Sequence, residues 1–316
     1  MKPNIDSTNY ILCNSYTKLC DSVWTAEHGA PDPGIIHVSC DDVKTFFELY
    51  GNNGKDYILV SSSSDFGLYE QAKAPVWADF HKGAQLIPPH MLQDENGYFG
   101  INIGPRCNAN NCSVGDRYSI KCHSWTNATF NEIPSNIKYW FLTNCMVDDP
   151  RCEPIPFGIF SDPDSVAKIA AHEPGEKTKI LYCNFQNYTR ERYDIKRWFS
   201  NEDWATVVWD ANVPFEQFLA DMSSHWLVAA PPGNGVDSYR VLESIYLGCI
   251  PIIESNFNAQ AYDGLPVVGA SDIRKLTVDF ALNTIETFNS NNNLNYDKAT
   301  LSYWRNRFEN ARMEFL

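Results

Sequence analysis

Between His225 and Glu254 the chain reads HWLVAAPPGNGVDSYRVLESIYLGCIPIIE, and this stretch admits few folds. The run from His225 to Ala230 is short, apolar and of strand type. Pro231, Pro232, Gly233, Asn234 and Gly235 break it with turn residues, glycine tolerating the backbone angles of a tight connection. Asp237 or Ser238 can cap the next helix, whose apolar positions Val241, Leu242, Ile245 and Tyr246 form one face. Gly248 suits the left-handed residue that ends a helix, and Ile250 to Ile253 is too apolar for a surface strand. The unit is therefore strand, glycine loop, helix, buried strand. Open α/β sheets take ligands at the carboxyl ends of such strands, where backbone N–H groups and a helix N-terminus favour an anion. Taken alone, the loop is equally a connection that happens to be rich in glycine.

The same rhythm extends upstream. Strands are expected at 179–184, 204–209, 225–230 and 250–253, with helices at 190–200, 214–223 and 237–247. Alternation of this kind implies a parallel sheet wrapped by helices. Nearer the N-terminus, Ile35 to Cys40 reads as a strand, Asp41 to Tyr50 as a helix, and Tyr57 to Ser63 as a strand running into a polar loop. Residues 66–135 show no sustained period, and the rhythm resumes at Ile137. His172 to Thr178 (HEPGEKT) has linker composition. A last amphipathic stretch, Tyr296 to Phe315, carries Tyr303, Trp304, Phe308 and Met313 at near-helical spacing.

Composition narrows the function classes. With 316 residues, 44% of them hydrophobic and 20% charged, the chain suits one large core or two of about 150 residues. A net charge of -14 argues against a general nucleic-acid binder, which needs a basic stripe. No window approaches 18 apolar residues, and the first ten residues lack the apolar core of a secretory leader. Among ten cysteines, Cys107, Cys112 and Cys122 cluster, yet no second pair or histidine has zinc-site spacing, so no metal is expected. Disulfides among the N-terminal cysteines stay open.

The segment from Gly233 to Pro251 resembles the donor-binding motif of exostosin-type glycosyltransferases and their relatives in large DNA viruses and algae. The matching residues are Gly233, Asn234, Gly235, Asp237, Ser238, Arg240, Glu243, Gly248, Cys249, Ile250 and Pro251. Tyr239 departs from the pattern, since relatives often carry histidine there. KILYCNFQNYTRER (Lys179 to Arg192) is similar to the family's first C-terminal-domain strand and the loop after it. IKYWFLTN (Ile137 to Asn144) and EPIPFGI (Glu153 to Ile159) look like the end of its N-terminal domain, and YILVSSSSD (Tyr57 to Asp65) like the loop facing the acceptor.

That resemblance implies an α/β protein of the GT-B class, two Rossmann-like domains facing across a cleft. It implies an acceptor-side domain at 1–175, a donor-binding domain at 176–290, and a C-terminal helix at 291–316 crossing back to the first domain. It also implies an inverting transfer from a nucleotide sugar, UDP-linked rather than GDP-linked, to a hydroxyl of a glycan or glycoprotein, with no obligatory cofactor or metal. The leaving diphosphate needs helix N-termini and basic side chains, for which Arg190, Arg192 and Arg240 are the candidates. Glu243 is the carboxylate expected on the ribose hydroxyls; its plainer reading is an ion pair with Arg240 on the same helix. Asp65, His81 and His90 are the candidates for the general base, although Asp65 is also a plausible turn or cap residue.

Three alternatives stay open. Asp162, Pro163 and Asp164 form the DxD of a metal-dependent GT-A enzyme, but the proline favours a helix start. An inactive carbohydrate-binding or scaffold protein would keep the same fold, and a nucleotide-sugar epimerase is also compatible with it. The expected setting is cytoplasmic, that of the host if the chain is viral, or the Golgi lumen if an anchor lies outside this sequence.

Overall fold

The computed structural model describes residues 2–62, 69–70, 129–130, 132–187, 190–209, 213–233, 235–291 and 294–316. The first sheet is built from β1 (Ser22–Trp24), β2 (Gly34–Val38) and β3 (Tyr57–Ser61), with α1 (Val43–Tyr50) between the last two. A separate two-residue pairing joins β4 (Tyr69–Glu70) to β5 (Thr129–Phe130). β6 (Ile137–Leu142) and β7 (Cys152–Pro154) complete the sheet, whose order is β1-β2-β3-β6-β7 with every pairing parallel.

That order steps across the sheet in one direction only. Because parallel crossovers are right-handed, connections that always step the same way fall on one face. Val43, Phe46 and Phe47 of α1 accordingly pack with Ile36, Val38, Leu59 and Trp140 on one side. Ile35, Ile58, Val60 and Phe141 point to the other side, and there the cover comes from elsewhere in the chain.

After α2 (Pro163–Ala171), the chain builds a second sheet from β8 (Lys179–Cys183), α3 (Arg190–Phe199), β9 (Ala205–Val207), α4 (Phe215–Ser223) and β10 (His225–Ala229). It continues through α5 (Tyr239–Tyr246), β11 (Ile250–Glu254), β12 (Val268–Ala270) and α6 (Val278–Ser290). The order is β9-β8-β10-β11-β12, again all parallel. Here the direction reverses after β9, so both faces receive helices. Ile195 and Phe199 of α3 and Ala281 of α6 cover Leu181, Cys183, Leu227 and Ala229. Phe218 and Met222 of α4, with Val241, Leu242 and Ile245 of α5, cover Tyr182 and Val228. Burial on both faces is why these strands read as unbroken apolar runs.

The bare face of the first sheet is closed by the two chain ends. In α7 (Leu301–Phe315), Trp304, Phe308 and Ala311 are buried, and the Phe308 ring lies 4.4 Å from Phe141. Arg307 reaches Glu153 at 2.7 Å, and Arg312 grips both carboxylate oxygens of Asp21 at 2.8 Å. From the other end, the Tyr10 ring stacks on Tyr246 at 4.0 Å. The Tyr246 hydroxyl accepts from the Ile11 N–H and donates to the Ala299 carbonyl, both at 2.9 Å. This one phenol joins the N-terminal segment, α5 and the approach to α7.

Two local expectations are visible in detail. Gly248 has φ +72°, the left-handed stop after α5. Asp162 caps α2, its carboxylate accepting from the Ser165 N–H at 2.9 Å with Pro163 in the first turn, so the DxD is occupied as a helix start. β1, β7 and β12 have no counterpart in the sequence reading, because three residues are too few to carry a period. α6 was also missed. None of the seven described cysteines forms a disulfide; Cys107, Cys112 and Cys122 lie outside the described residues.

Candidate functional site

β8 and β10 are neighbours whose following connections leave in opposite directions, and this opens a crevice at their carboxyl ends. Into it run Phe185 and Gln186 after β8, and Pro231 to Gly235 after β10. Arg192, buried in the first turn of α3, bridges the two. Its Nε donates to the Pro232 carbonyl at 2.8 Å and its Nη2 to that of Pro231 at 3.3 Å. The Gly233 N–H donates to the Gly235 carbonyl at 2.9 Å, closing the loop on itself. Arg192 thus holds the shape of the glycine loop, a role the sequence reading did not assign to it.

A cavity of about 370 Å³ occupies the crevice, within the size range of small-molecule sites. One wall is the start of α5, with Ser238, Tyr239, Arg240 and Glu243; Phe157, after the first sheet, also lines the cavity. Arg240 lies with its guanidinium 4.3 Å over the Phe218 ring and donates from Nη1 to Glu243 Oε2 at 2.8 Å. The ion pair expected on plain grounds therefore exists, yet it uses a single oxygen of Glu243. Glu243 Oε1 makes no hydrogen bond among the described residues.

Among the described residues, Ser238 Oγ and Arg240 Nε are enclosed without a hydrogen-bond partner, as is Asn187 Oδ1 in the segment after β8. Polar atoms removed from water without a partner are costly and uncommon. Ser238 and Arg240 both line the cavity, so a ligand with hydrogen-bonding oxygens would relieve the first two. Ser238 sits at the cap position of α5 without bonding its first N–H groups, which leaves that hydroxyl for another use.

Asp237, expected in the donor set, does line the cavity, and its carboxylate is held by protein donors. Its Oδ2 accepts from the Tyr262 hydroxyl at 2.6 Å, the Asn258 amide at 3.1 Å and the Phe157 N–H at 3.2 Å. Its Oδ1 accepts from the Ser238 N–H at 2.7 Å. Burial pushes its carboxyl up to about 6, against the opposing pull of those donors. The Asp237 N–H donates to Asn144 Oδ1 at 2.8 Å, and Asn258 Oδ1 accepts from the Cys145 N–H at 2.8 Å. Asn144 holds φ +52°, a left-handed conformation asparagine tolerates better than most residues. Asp237 is thereby a knot tying the end of β6 to the start of α5.

Of the remaining expected residues, Gly233 and Gly235 line the cavity with Ser238, Arg240 and Glu243. Arg190 opens α3, and its side chain is outside the description. Asn234, Asp65, His81 and His90 lie outside the described residues. Tyr239, at the position where the resembled family often has histidine, packs its ring 4.9 Å from Phe157 and 5.8 Å from Phe160. The sequence reading missed Phe157, Phe185, Gln186, Asn258, Tyr262 and the buried Lys196. Only Lys196 left a legible trace, four residues after Arg192 and so on the same helix face. No protein-family model matches the chain, and no curated protein matches it.

Proposed function

We propose that the chain is a glycosyltransferase of GT-B architecture that moves a sugar, with inversion, from a UDP-linked donor to a glycan hydroxyl. The observation that carries this reading is the cavity at the β8/β10 switch point. There, two guanidinium groups, a helix start and the Glu243 carboxylate converge, with Glu243 Oε1, Ser238 Oγ and Arg240 Nε unpartnered among the described residues. In the proposal, Arg240, Ser238 and the α5 N-terminus meet the diphosphate and offset the charge that grows as the sugar departs. Glu243 Oε1 accepts from the ribose hydroxyls, while Oε2 keeps Arg240 oriented. Arg192 holds the glycine loop in its ligand-ready shape. The general base is sought among Asp65, His81 and His90.

The test is thermal unfolding with UDP and with GDP, followed by a screen of nucleotide sugars for hydrolysis. A nucleotide at a hundredfold excess over its Kd stabilises the folded state by about 2.7 kcal/mol. Stabilisation by UDP together with release of free sugar from one donor supports the enzyme. Binding without turnover favours an inactive binding protein, and conversion of the donor into an isomer favours an epimerase. If neither nucleotide binds and no donor is hydrolysed, the proposal is wrong.

A further inference from the structure

Lys196 lies one turn after Arg192 on α3 and is only 1% exposed. Its Nζ donates to the Val208 carbonyl at 2.6 Å and lies 5.1 Å from the Phe185 ring and 5.7 Å from the Trp209 ring. Among the described residues no carboxylate pairs with it. Among the described residues, the charged or titratable groups near enough to act on it are Cys183 from β8, Arg192 from its own helix and Arg240 from α5. Burial pushes the Cys183 thiol up to about 12, so at neutral pH it offers no compensating charge. Phe185 also lines the cavity that Arg192 and Arg240 share. Two cations, Arg192 and Arg240, therefore line this crevice, and a third, Lys196, lies against the Phe185 ring, in a chain of net charge -14. Among the described residues the carboxylates of the cavity wall are Glu243 and Asp237, and Asp237 is already held by its own donors. A buried ammonium with one neutral acceptor weakens the fold unless an anion arrives to use it.

We propose that Lys196 is a further anion-recognition residue of this site, acting across the Phe185 ring on the phosphates of a bound nucleoside diphosphate. The identity of the anion rests on the function proposed above. The positive field does not, since any polyphosphate would meet it. Burial, with Arg192 and Arg240 nearby, lowers the Lys196 ammonium to about 8 in the free protein. A bound anion favours the charged form, so binding takes up a proton and weakens as pH rises through that value.

Isothermal titration of the parent, Lys196→Met and Lys196→Arg with UDP, inorganic pyrophosphate and uridine tests this. At pH 7 the methionine variant should bind UDP and pyrophosphate about tenfold more weakly, the size of a screened charge interaction over several ångströms, with uridine unchanged. Between pH 7 and pH 9 the parent should lose affinity for UDP severalfold, and the arginine variant, always charged, should not. Equal UDP binding by parent and methionine variant, or a parent affinity indifferent to pH, overturns the proposal while leaving the donor site intact. Pyrophosphate binding that depends on Lys196 without any binding of UDP sustains the cation cluster and removes the nucleotide reading. If neither anion binds the parent, both fall. Should the methionine variant not fold, the pH comparison of parent with arginine variant decides the question alone.

Discussion

The two sheets of this protein are both parallel and five-stranded, and they differ in the direction of winding. The first advances one way across itself, so one face carries its own helix and the other must be covered by distant chain. The second reverses once, between β9 and β10, so both faces carry helices and a crevice opens where the reversal occurs. Winding therefore separates two tasks. The doubly wound sheet makes the cavity. The singly wound sheet makes an apolar face that binds the chain ends, through Tyr10 and Ile11 from one side and α7 from the other.

The sharpest way to break this comparison is to uncover the singly wound face. Phe308→Ala removes a buried ring against Phe141 and should cost about 4 kcal/mol in urea unfolding. A cost below about 1 kcal/mol would mean that α7 is not the true cover.

Acid comes next, because each sheet holds one buried neutral histidine. His37 in β2 has its Nε2 3.0 Å from Ser62 Oγ, and burial lowers it to about 4. His225 in β10 contacts the Asp221 carbonyl through Nδ1 at 2.6 Å and Thr206 Oγ1 through Nε2 at 2.8 Å, and burial again lowers it to about 4. Both folded values lie below the unfolded one, so the stability they carry is complete above about pH 6.5 and is lost as pH falls through 4. Each contributes roughly 3 kcal/mol of loss over that window. Asp237 acts the other way: raised to about 6, it adds stability in acid that disappears as pH rises through 6. Replacing either histidine by glutamine should flatten the acid limb of a stability–pH curve by about 1.4 kcal/mol per pH unit. An unchanged slope would show that neither is buried neutral.

A smaller effect is expected where the two sheets are tied together. Asp237→Asn places an amide against donors from Tyr262, Asn258 and two backbone N–H groups, and should cost about 2 kcal/mol. The same variant should weaken ligand binding, because Ser238 follows directly. If stability falls while binding is untouched, the knot is structural only. The smallest change in stability belongs to the cavity itself: Glu243→Ala and Arg240→Ala should each weaken UDP binding more than tenfold, about 1.4 kcal/mol, while the melting temperature moves little. Nucleotide binding at the parent level in both variants would relocate the donor site.

Much of the second sheet was legible because its signals are local. Leu227 to Ala229 and Ile250 to Ile253 are apolar on both faces, and the face of α5 repeats at 3.6 residues. Gly248 and Asp162 announce their helix ends by backbone freedom and side-chain capping. β1, β7 and β12 were not legible, since short strands are defined by the neighbour they pair with. Within the site, Arg240, Ser238 and Glu243 could be picked out as a group because one helix start presents them. For Asp237, which also lines the cavity, the partners were not legible, for the opposite reason. Its four donors come from Phe157, Ser238, Asn258 and Tyr262, and only the adjacent Ser238 is near in sequence.

By itself, then, the sequence determined the class of the elements and the sites where helices start and stop, because those depend on residues within one turn or one pleat of each other. Tertiary structure alone decided the order of the strands and hence which loop faces a crevice. It also turned Arg192 toward the Pro231 and Pro232 carbonyls, surrounded Asp237 with donors, and buried Lys196 with no carboxylate partner among the described residues. Each of those outcomes is set by partners brought close through the direction in which the chain winds, and spacing along the sequence carries no record of that direction.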